Sequence, residues 1–234
     1  MTKPLHIGLI GGIGVAATLV YYQRLTAAVT KMGAQLECTI VHAQVDDLVR
    51  TNTNDLRQEQ AEIYAPLIDR LKAAGADCAA ITSLGGHFCF EETKPLSALP
   101  LVSAVAPLDD YFASEGLASV GILGTRVVQR TAFYGHLKKT RAVTLDDEID
   151  EIGQTYTDMA IAGHCSEDQR AFFFGAAQRL TDAGADAVVL GGTDLNLAFD
   201  GRPTPYRVID ALDIHVDVLA RLATGQLSLA EASD

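Results

Sequence analysis

The chain lacks the features that define several large classes of protein. It carries 18 Lys and Arg residues against 30 Asp and Glu, a formal net charge of −12, and no basic stripe that could displace the counterions of a nucleic acid. No apolar run reaches the length of a membrane span, and the opening MTKPLHIGLIGG has neither the apolar core nor the cleavage site of a signal peptide. We therefore expect a cytoplasmic protein that binds neither nucleic acid nor a membrane.

The cysteines lack the spacing of a metal or redox site. No pair of the four forms a CxxC or a zinc-ligand pattern. We expect reduced thiols that mostly pack as small apolar side chains, and no bound metal. The four are Cys38, Cys78, Cys89 and Cys165.

What the chain does have is an internal repeat. Arg70–Ser83 reads RLKAAGADCAAITS, and Arg179–Gly192 reads RLTDAGADAVVLGG. A second pair, Ile7–Gly12 (IGLIGG) and Val120–Thr125 (VGILGT), places an apolar strand ahead of a glycine turn in each copy. Two copies of one α/β unit therefore make the chain, and equivalent strands end at Ser83 and at Gly192.

Short aliphatic runs alternate with segments of helical periodicity, an order that is typical of parallel sheets. The predicted strands are Leu5–Ile10, Thr39–Ala43, Cys78–Thr82, Leu101–Val102, Ser119–Leu123, Ala142–Thr144, Ala187–Leu190 and Arg207–Ile209. The predicted helices are Ala16–Lys31, Asp55–Ala74, Val127–Lys138, Glu148–Ala162, Ser166–Ala183 and Leu212–Leu222.

The ends of the repeated helices are marked by glycine, at Gly75 and Gly184, where a left-handed C-cap is expected. Pro95, Pro100 and the GRPTP segment interrupt the pattern and are candidate crossings between halves. We predict an α/β protein of two pseudo-symmetric, Rossmann-like parallel-sheet halves, 1–98 and 99–207, with the active-site cleft between them. The last segment, 208–234, is a candidate to return to the first half.

The glycine turn near the N-terminus fits the pattern GxGxxA after a strand. A dinucleotide site also needs an acidic residue near the end of the second strand, where the chain has Val41-His42-Ala43, so we expect no nucleotide cofactor. The N–H groups of Gly12 and Gly14 could instead hold a carboxylate or phosphate. A tight turn that needs glycine for close packing explains them equally well.

Ligands of open parallel sheets lie beyond the carboxyl ends of the strands, where this chain has Thr82–His87 (TSLGGH) and Gly191–Asp194 (GGTD). Over nearly its whole length the chain resembles the aspartate/glutamate racemase family. IGLIGGIGVAAT resembles the family's opening strand and glycine loop, and the two segments fall where the family has Cys-Asn-Thr-Ala-His and Gly-Cys-Thr-Glu. The resemblance implies a homodimer and a cofactor-independent reaction at the carbon next to a carboxylate. In that reaction a thiolate removes a proton from one face and a thiol returns one on the other.

The chain departs from the family pattern at both thiol positions, which are Ser83 and Gly192. A serine hydroxyl is too weakly acidic to ionise near neutral pH without a strong adjacent base, and glycine has no side chain. We therefore expect a divergent member that does not use two thiols. Cys89, six residues after Ser83, is the nearest cysteine that could replace the first of them.

The same resemblance assigns a binding role to Arg50, because Asp47–Thr51 matches the family's Asp-Arg-Thr segment, whose arginine pairs with a substrate carboxylate. A solvent-facing loop arginine is the alternative. His87 is either a group that titrates near neutrality or a hydrogen-bonding residue at a helix N-terminus. Asp194 either orients a proton donor or caps the turn that follows it.

Three functions remain open. They are a racemase-like isomerase with substituted acid–base groups, a lyase or decarboxylase of the same superfamily, and a non-catalytic protein that binds a small carboxylate. For the first, the candidate catalytic residues are Ser83, His87, Gly192, Thr193 and Asp194. The candidate substrate-binding residues are Gly12, Gly14, Arg50 and Thr82.

Overall fold

The computed structural model describes residues 3–12 and 14–232, so Met1, Thr2, Ser233, Asp234 and Ile13 of the glycine motif lie outside the described residues. The chain divides into two compact units. Unit 1 combines Met1–Ala104 with His215–Asp234, and unit 2 is Val105–Ile214. Unit 1 is therefore built from both ends of the chain, whereas unit 2 is continuous.

Unit 1 contains a four-stranded parallel sheet in the order β2-β1-β3-β4. Its strands are β1 Ile7–Gly11, β2 Cys38–His42, β3 Cys78–Ile81 and β4 Leu101–Val102. Its helices are α1 Val15–Lys31, α2 Val45–Thr53, α3 Arg57–Ala73 and α4 Phe90–Thr93, with 3-10 turns at Gly85–Cys89 and Lys94–Leu96. The last helix, α11, runs over Ala211–Ala223 and belongs to unit 1 from His215 onward.

Unit 2 repeats this topology with the strand order β6-β5-β7-β8, again parallel. Its strands are β5 Ser119–Gly124, β6 Arg141–Val143, β7 Ala187–Gly191 and β8 Val208–Asp210. Its helices are α5 Leu108–Ser114, α6 Arg126–Arg130, α7 Ala132–Gly135, α8 Ile149–Ala162, α9 Glu167–Asp182 and α10 Asn196–Phe199, with 3-10 turns at Asp146–Glu148 and Thr193–Leu195. The predicted α/β architecture of parallel sheets is confirmed.

The AGAD repeat has the same structural role in each unit. Gly75 and Gly184 both adopt φ +91°, the left-handed conformation that ends α3 and α9. The aspartate two residues later then accepts hydrogen bonds from the backbone at the start of the neighbouring strand. Asp77 Oδ2 accepts from the N–H of His6 at 2.8 Å, and Asp186 Oδ2 accepts from the N–H of Ser119 at 2.8 Å. The repeat is thus a helix-to-strand joint that fixes β3 to β1 and β7 to β5.

Two predictions about local structure are wrong. Val127–Lys138 is not one helix, because Ala132, Phe133 and Tyr134 have φ of 46°, 55° and 58°. This left-handed turn buries Phe133 completely, and the Thr131 side chain accepts a hydrogen bond from the N–H of Tyr134. The alternative given for Arg50, a solvent-facing loop arginine, is wrong in placing it on a loop, because the segment forms α2.

Candidate functional site

The glycine turn after β1 is held by a threonine that the sequence analysis did not single out. Gly12 has φ +90°, and a Cβ there would lie 2.4 Å from the carbonyl oxygen of Ala43. Its N–H donates to Thr18 Oγ1 at 3.0 Å, and Thr18 also lies 3.2 Å from Thr82 Oγ1. The Gly12 amide is therefore bonded within the protein, and the requirement for glycine comes from the turn itself. The only sequence signal for Thr18 was its position one turn into α1.

Ser83 lies after β3, just before the 3-10 turn at the carboxyl end of the sheet of unit 1, and His87 lies within that turn. Ser83 Oγ accepts a hydrogen bond from the N–H of Gly86 at 3.1 Å, so the hydroxyl caps this turn. His87 Nδ1 lies 2.7 Å from the carbonyl oxygen of Ser83, and Nε2 accepts from the N–H of Ala104 at 3.0 Å. Because Nε2 accepts a hydrogen bond, the ring proton is on Nδ1 and the imidazole is neutral. His87 thus bonds the backbone of Ser83 through Nδ1.

A second buried histidine, His215, packs against the ring of His87. The His215 ring meets the His87 ring edge-on at 6.3 Å, and the Tyr21 hydroxyl lies 2.9 Å from His215 Nδ1. Burial lowers the pKa of His215 to about 3, with a smaller lowering contribution from His87. The Phe90 ring stacks on the His87 ring, with the ring centroids 5.2 Å apart. The ring of His87 is consequently fixed by apolar and neutral neighbours.

Arg50 is half-exposed on α2 and is already paired with carboxylates. Its Nη2 donates to Glu59 Oε1 at 2.7 Å and lies 3.8 Å from Asp47 Oδ1. The hydrogen bond to Glu59 raises the pKa of Arg50, and the same bond lowers the pKa of Glu59. The next residue but one, Asn52, donates to the carbonyl oxygen of Gly85 at 3.2 Å and so joins α2 to the turn after Ser83.

The structure gives no support to Cys89 as a replacement thiol. Cys89 is fully buried, and its Sγ donates to the carbonyl oxygen of Gly86 at 3.6 Å. Burial raises its pKa to about 12, although the hydrogen bond from Thr93 acts in the opposite direction. A thiol with this pKa is protonated at neutral pH. No group of three or more His, Cys, Asp or Glu in 3–12 and 14–232 is placed to hold a metal ion.

In unit 2 a tyrosine occupies the space beside position 192. Gly192 follows β7, and a Cβ there would lie 2.4 Å from Tyr156 Cε2. The Tyr156 hydroxyl donates to Asp194 Oδ2 at 3.1 Å. Burial raises the pKa of Tyr156 well above its usual value, and the Asp194 carboxylate raises it further. Tyr156 is therefore a neutral phenol that donates a hydrogen bond to the Asp194 carboxylate.

Most of the predicted site residues lie at the strand ends of each unit, whereas the Arg50 guanidinium contacts Glu59 and Asp47. In unit 1 the structure joins the Gly12 turn to Thr82 through Thr18 and joins Ser83 to His87. In unit 2 it joins Thr193 and Asp194 to Tyr156. Tyr156 lies on α8, 36 residues before Gly192 in the sequence. In the sequence, only the glycine at position 192 indicated that another side chain fills the space beside that position.

No helix among the described residues has both the length and the hydropathy that a membrane crossing requires. Two units with the same parallel topology, each with hydroxyl-bearing and acid–base side chains beyond the carboxyl ends of its central strands, define an α/β protein of the racemase fold. The sequence profile of the Asp/Glu/hydantoin racemase family matches residues 10–219. The chain belongs to this family.

Solved structures share the fold at low sequence identity. An aspartate racemase homologue from Pyrococcus horikoshii is 23% identical, with a TM-score of 0.74 over 96% of this chain and 100% of that one. The aspartate racemase of Picrophilus torridus is 16% identical, with a TM-score of 0.78 over 93% and 94%. An arylmalonate decarboxylase is 14% identical, with a TM-score of 0.51 over 93% and 92%.

Proposed function

We propose that the chain is a cofactor-independent isomerase of the racemase type that acts on a small carboxylate, such as an amino acid, without two thiols. Membership of the Asp/Glu/hydantoin racemase family supports the reaction class. The observation that carries the proposal is the pair formed by Asp194 and Tyr156 beside position 192. A carboxylate can accept a proton at neutral pH, where a serine hydroxyl cannot.

We assign proton transfer to Asp194, with Thr193 beside it as a hydroxyl donor. His87 is assigned a supporting role, because its ring nitrogens bond the backbone at Ser83 and Ala104. Ser83 supplies a hydroxyl, and water is the remaining proton carrier. These roles replace the thiol chemistry that Ser83 and Gly192 cannot perform.

We assign substrate binding to Arg50, because a guanidinium can bind a carboxylate through two parallel hydrogen bonds. The substrate would then share or displace the contact that Glu59 makes with Arg50. Thr82 and the turn at Gly12 and Gly14 lie at the carboxyl ends of the neighbouring strands β3 and β1. Thr82 Oγ1 donates to the carbonyl oxygen of Ile10 at 3.0 Å, so its hydroxyl still has lone pairs but no spare proton.

The test is exchange of the α-proton with solvent. The protein is incubated in deuterium oxide with L- and D-aspartate, L- and D-glutamate and related carboxylates, and the α-proton signal is followed by NMR. We expect deuterium uptake from at least one acid, and a loss of about 100-fold or more in Asp194→Asn. Asp168→Asn, an exposed residue on α9, is the matched control. Absence of uptake from every acid would contradict the proposal.

A specific observation favours a second function, that of a non-catalytic binder of small carboxylates. Neither Ser83 nor Gly192 offers a thiol, and the ring nitrogens of His87 contact the backbone. Calorimetric titration with mono- and dicarboxylates, combined with the exchange assay, distinguishes a binder from an isomerase. Binding that Arg50→Ala weakens, without any exchange, would identify a binder. Because the fold is also that of an arylmalonate decarboxylase, malonate-like acids belong in both panels and turnover of one of them would identify a lyase.

We also propose that the protein is a cytoplasmic homodimer that needs no cofactor. All four cysteines are free, as reduced thiols would be in that compartment. Light scattering coupled to size exclusion is expected to give twice the chain mass of 24.9 kDa. A mass of one chain at micromolar concentration would contradict the dimer.

A further inference from the structure

The backbone at position 192 does not require glycine. Gly192 has φ −134° and ψ 120°, an extended conformation that any residue adopts. This separates it from Gly12 and Gly124, whose positive φ values favour glycine directly. What prevents a side chain at position 192 must therefore be its surroundings.

Those surroundings are the ring of Tyr156. A Cβ at position 192 would lie 2.4 Å from Cε2, 2.8 Å from Cζ and 3.0 Å from Cδ2. All three nearest atoms belong to this one ring. Real Cβ atoms essentially never approach another atom so closely, so one of the two groups would have to move.

The ring is not free to move. It belongs to the buried core of unit 2, in a cluster that includes Met159, Phe173 and Leu195. Its hydroxyl is fixed by donation to Asp194 Oδ2 at 3.1 Å, and the hydroxyl oxygen accepts a hydrogen bond from the N–H of Asp194 at 3.5 Å. A shift of the ring would open a gap in the core and leave the buried Asp194 carboxylate without the phenol.

We propose that Gly192 and Tyr156 are a coupled pair, in which the tyrosine ring takes the volume of the side chain that position 192 would otherwise carry. This rests on the proposed function in one respect, because it takes position 192 as the second thiol position of the family. Tyr156 is then a positioning residue. It closes position 192 to a thiol and fixes the carboxylate of Asp194, which is the group left for proton transfer in unit 2.

The coupling is tested by stability. Gly192→Ala adds only the Cβ, and we expect it to lower the melting temperature by roughly 3–10 °C, as overpacking does in a chain of this size. In a Tyr156→Ala background, which is itself destabilised, the same change should cost little or nothing. In a Tyr156→Phe background the ring remains, so the full cost should remain. Equal costs of Gly192→Ala in all three backgrounds would overturn the coupling.

A second glycine-to-alanine substitution, at a position with no ring beside it, is the matched control for the change in melting temperature. At Gly175 on α9 the nearest atom to an added Cβ is Arg179 Nη1 at 3.3 Å, the end of a flexible side chain. Gly175→Ala should therefore be neutral or stabilising, and to the same degree with and without Tyr156. Should Gly192→Ala behave like Gly175→Ala while Tyr156 is present, the ring does not occupy that space.

A chemical readout separates positioning from simple packing. Ser83→Cys with Gly192→Cys restores both thiols, yet we expect no gain in α-deuterium exchange over the parent protein while Tyr156 remains. Adding Tyr156→Ala opens the space for the second thiol, and exchange should then rise at least tenfold above the level of the two-thiol variant.

The outcomes distinguish the two proposals. Non-additive melting temperatures together with no α-deuterium exchange in the parent protein would keep the coupling and reject proton transfer by Asp194. Additive melting temperatures would reject the coupling, whatever the exchange assay gives. Exchange in the two-thiol variant that equals that of the triple variant would also reject the coupling.

Discussion

At the scale of single residues, existing hydrogen bonds determine which polar groups are available to bind a ligand. In the proposed site Arg50 binds the substrate carboxylate, yet Glu59 already accepts from its guanidinium at 2.7 Å. A carboxylate bound there would therefore compete with Glu59 for the same donors. The Asp47 carboxylate, at 3.8 Å, is a weaker competitor.

Removing this competition should strengthen binding. We expect Glu59→Gln to tighten carboxylate binding roughly two- to fivefold, since exposed ion pairs are weak and are screened by salt. Isothermal titration at low ionic strength measures the effect. Glu62→Gln, one turn further along α3, is the control and should leave the affinity unchanged. A weaker affinity in Glu59→Gln would show that Glu59 supports Arg50 instead of competing for it.

His215 makes the stability of the fold depend on pH. Burial lowers its pKa from 6.5 in the unfolded chain to about 3 in the folded protein. Below pH 6.5 the unfolded chain takes up a proton that the folded chain does not, so stability is complete above pH 6.5 and falls towards pH 3. The slope is up to about 1.4 kcal/mol per pH unit.

Urea unfolding at pH 7.5 and at pH 5 checks this dependence. His215→Phe should flatten the slope, although it also removes the hydrogen bond of the Tyr21 hydroxyl and so lowers stability at both pH values. His164→Gln, an exposed histidine, is the control and should keep the slope of the parent. A slope in His215→Phe equal to that of the parent would exclude His215 as its source.

At the scale of secondary structure, the helix-to-strand joint is the feature that both units share most closely. The Asp186 carboxylate bonds the N–H groups of Ala118 and Ser119 at 2.9 and 2.8 Å, and these bonds lower its pKa. A lowered carboxyl pKa contributes stability above pH 3.8, and this contribution is lost as the pH falls through the folded value.

We therefore expect Asp186→Ala to lower the melting temperature by a few degrees at pH 7, since two backbone donors lose their partner. The difference from the parent should shrink as the pH falls below 3.8. Scanning calorimetry at several pH values measures both effects, with Asp158→Ala, an exposed residue on α8, as the control. Equal melting temperatures for the parent and Asp186→Ala at pH 7 would contradict a structural role for the repeat.

The strands were predictable because buried parallel strands are short continuous aliphatic runs between glycine or polar breaks. Helix α2 was missed because it has only nine residues, although Asp46 and Asp47 in its first turn were a usable signal. The left-handed turn at Phe133 could not be predicted, because it depends on burying one ring in the core of unit 2.

The candidate site was predictable only in part, for a related reason. Segments beyond the strand ends follow from topology and from the family resemblance, so Ser83, Gly192 and Asp194 were within reach of the sequence. The availability of their atoms depends on contacts between distant segments. The bond from Ala104 to His87 and the ring of Tyr156 beside Gly192 are contacts of this kind.

At the scale of the whole molecule, the two units differ in how the chain builds them. Unit 2 is continuous over Val105–Ile214, and every member of the core cluster around Tyr156 lies within that range. Unit 1 needs both ends of the chain. Its N-terminal strand segment bonds α11 through the N–H of Leu5 and the carbonyl oxygen of Leu222, at 3.3 Å, and Tyr21 bonds His215.

This difference predicts how fragments behave. A fragment of residues 105–214 should fold alone, because it keeps its whole sheet and its own core, and it is of a length at which single domains are stable. A fragment of residues 1–104 should not fold alone, because it lacks the buried residues of α11, among them His215, Leu219 and Leu222.

Circular dichroism and thermal unfolding of both fragments check this expectation. The first should melt cooperatively. The second should do so only when residues 215–234 are joined to its C-terminus by a short linker, because the fused chain restores the bonds to Tyr21 and Leu5. Cooperative melting of the 1–104 fragment without that segment would show that α11 is dispensable for unit 1. A fragment of 105–214 that stays unfolded would show that its core cannot stabilise it without the remainder of the chain.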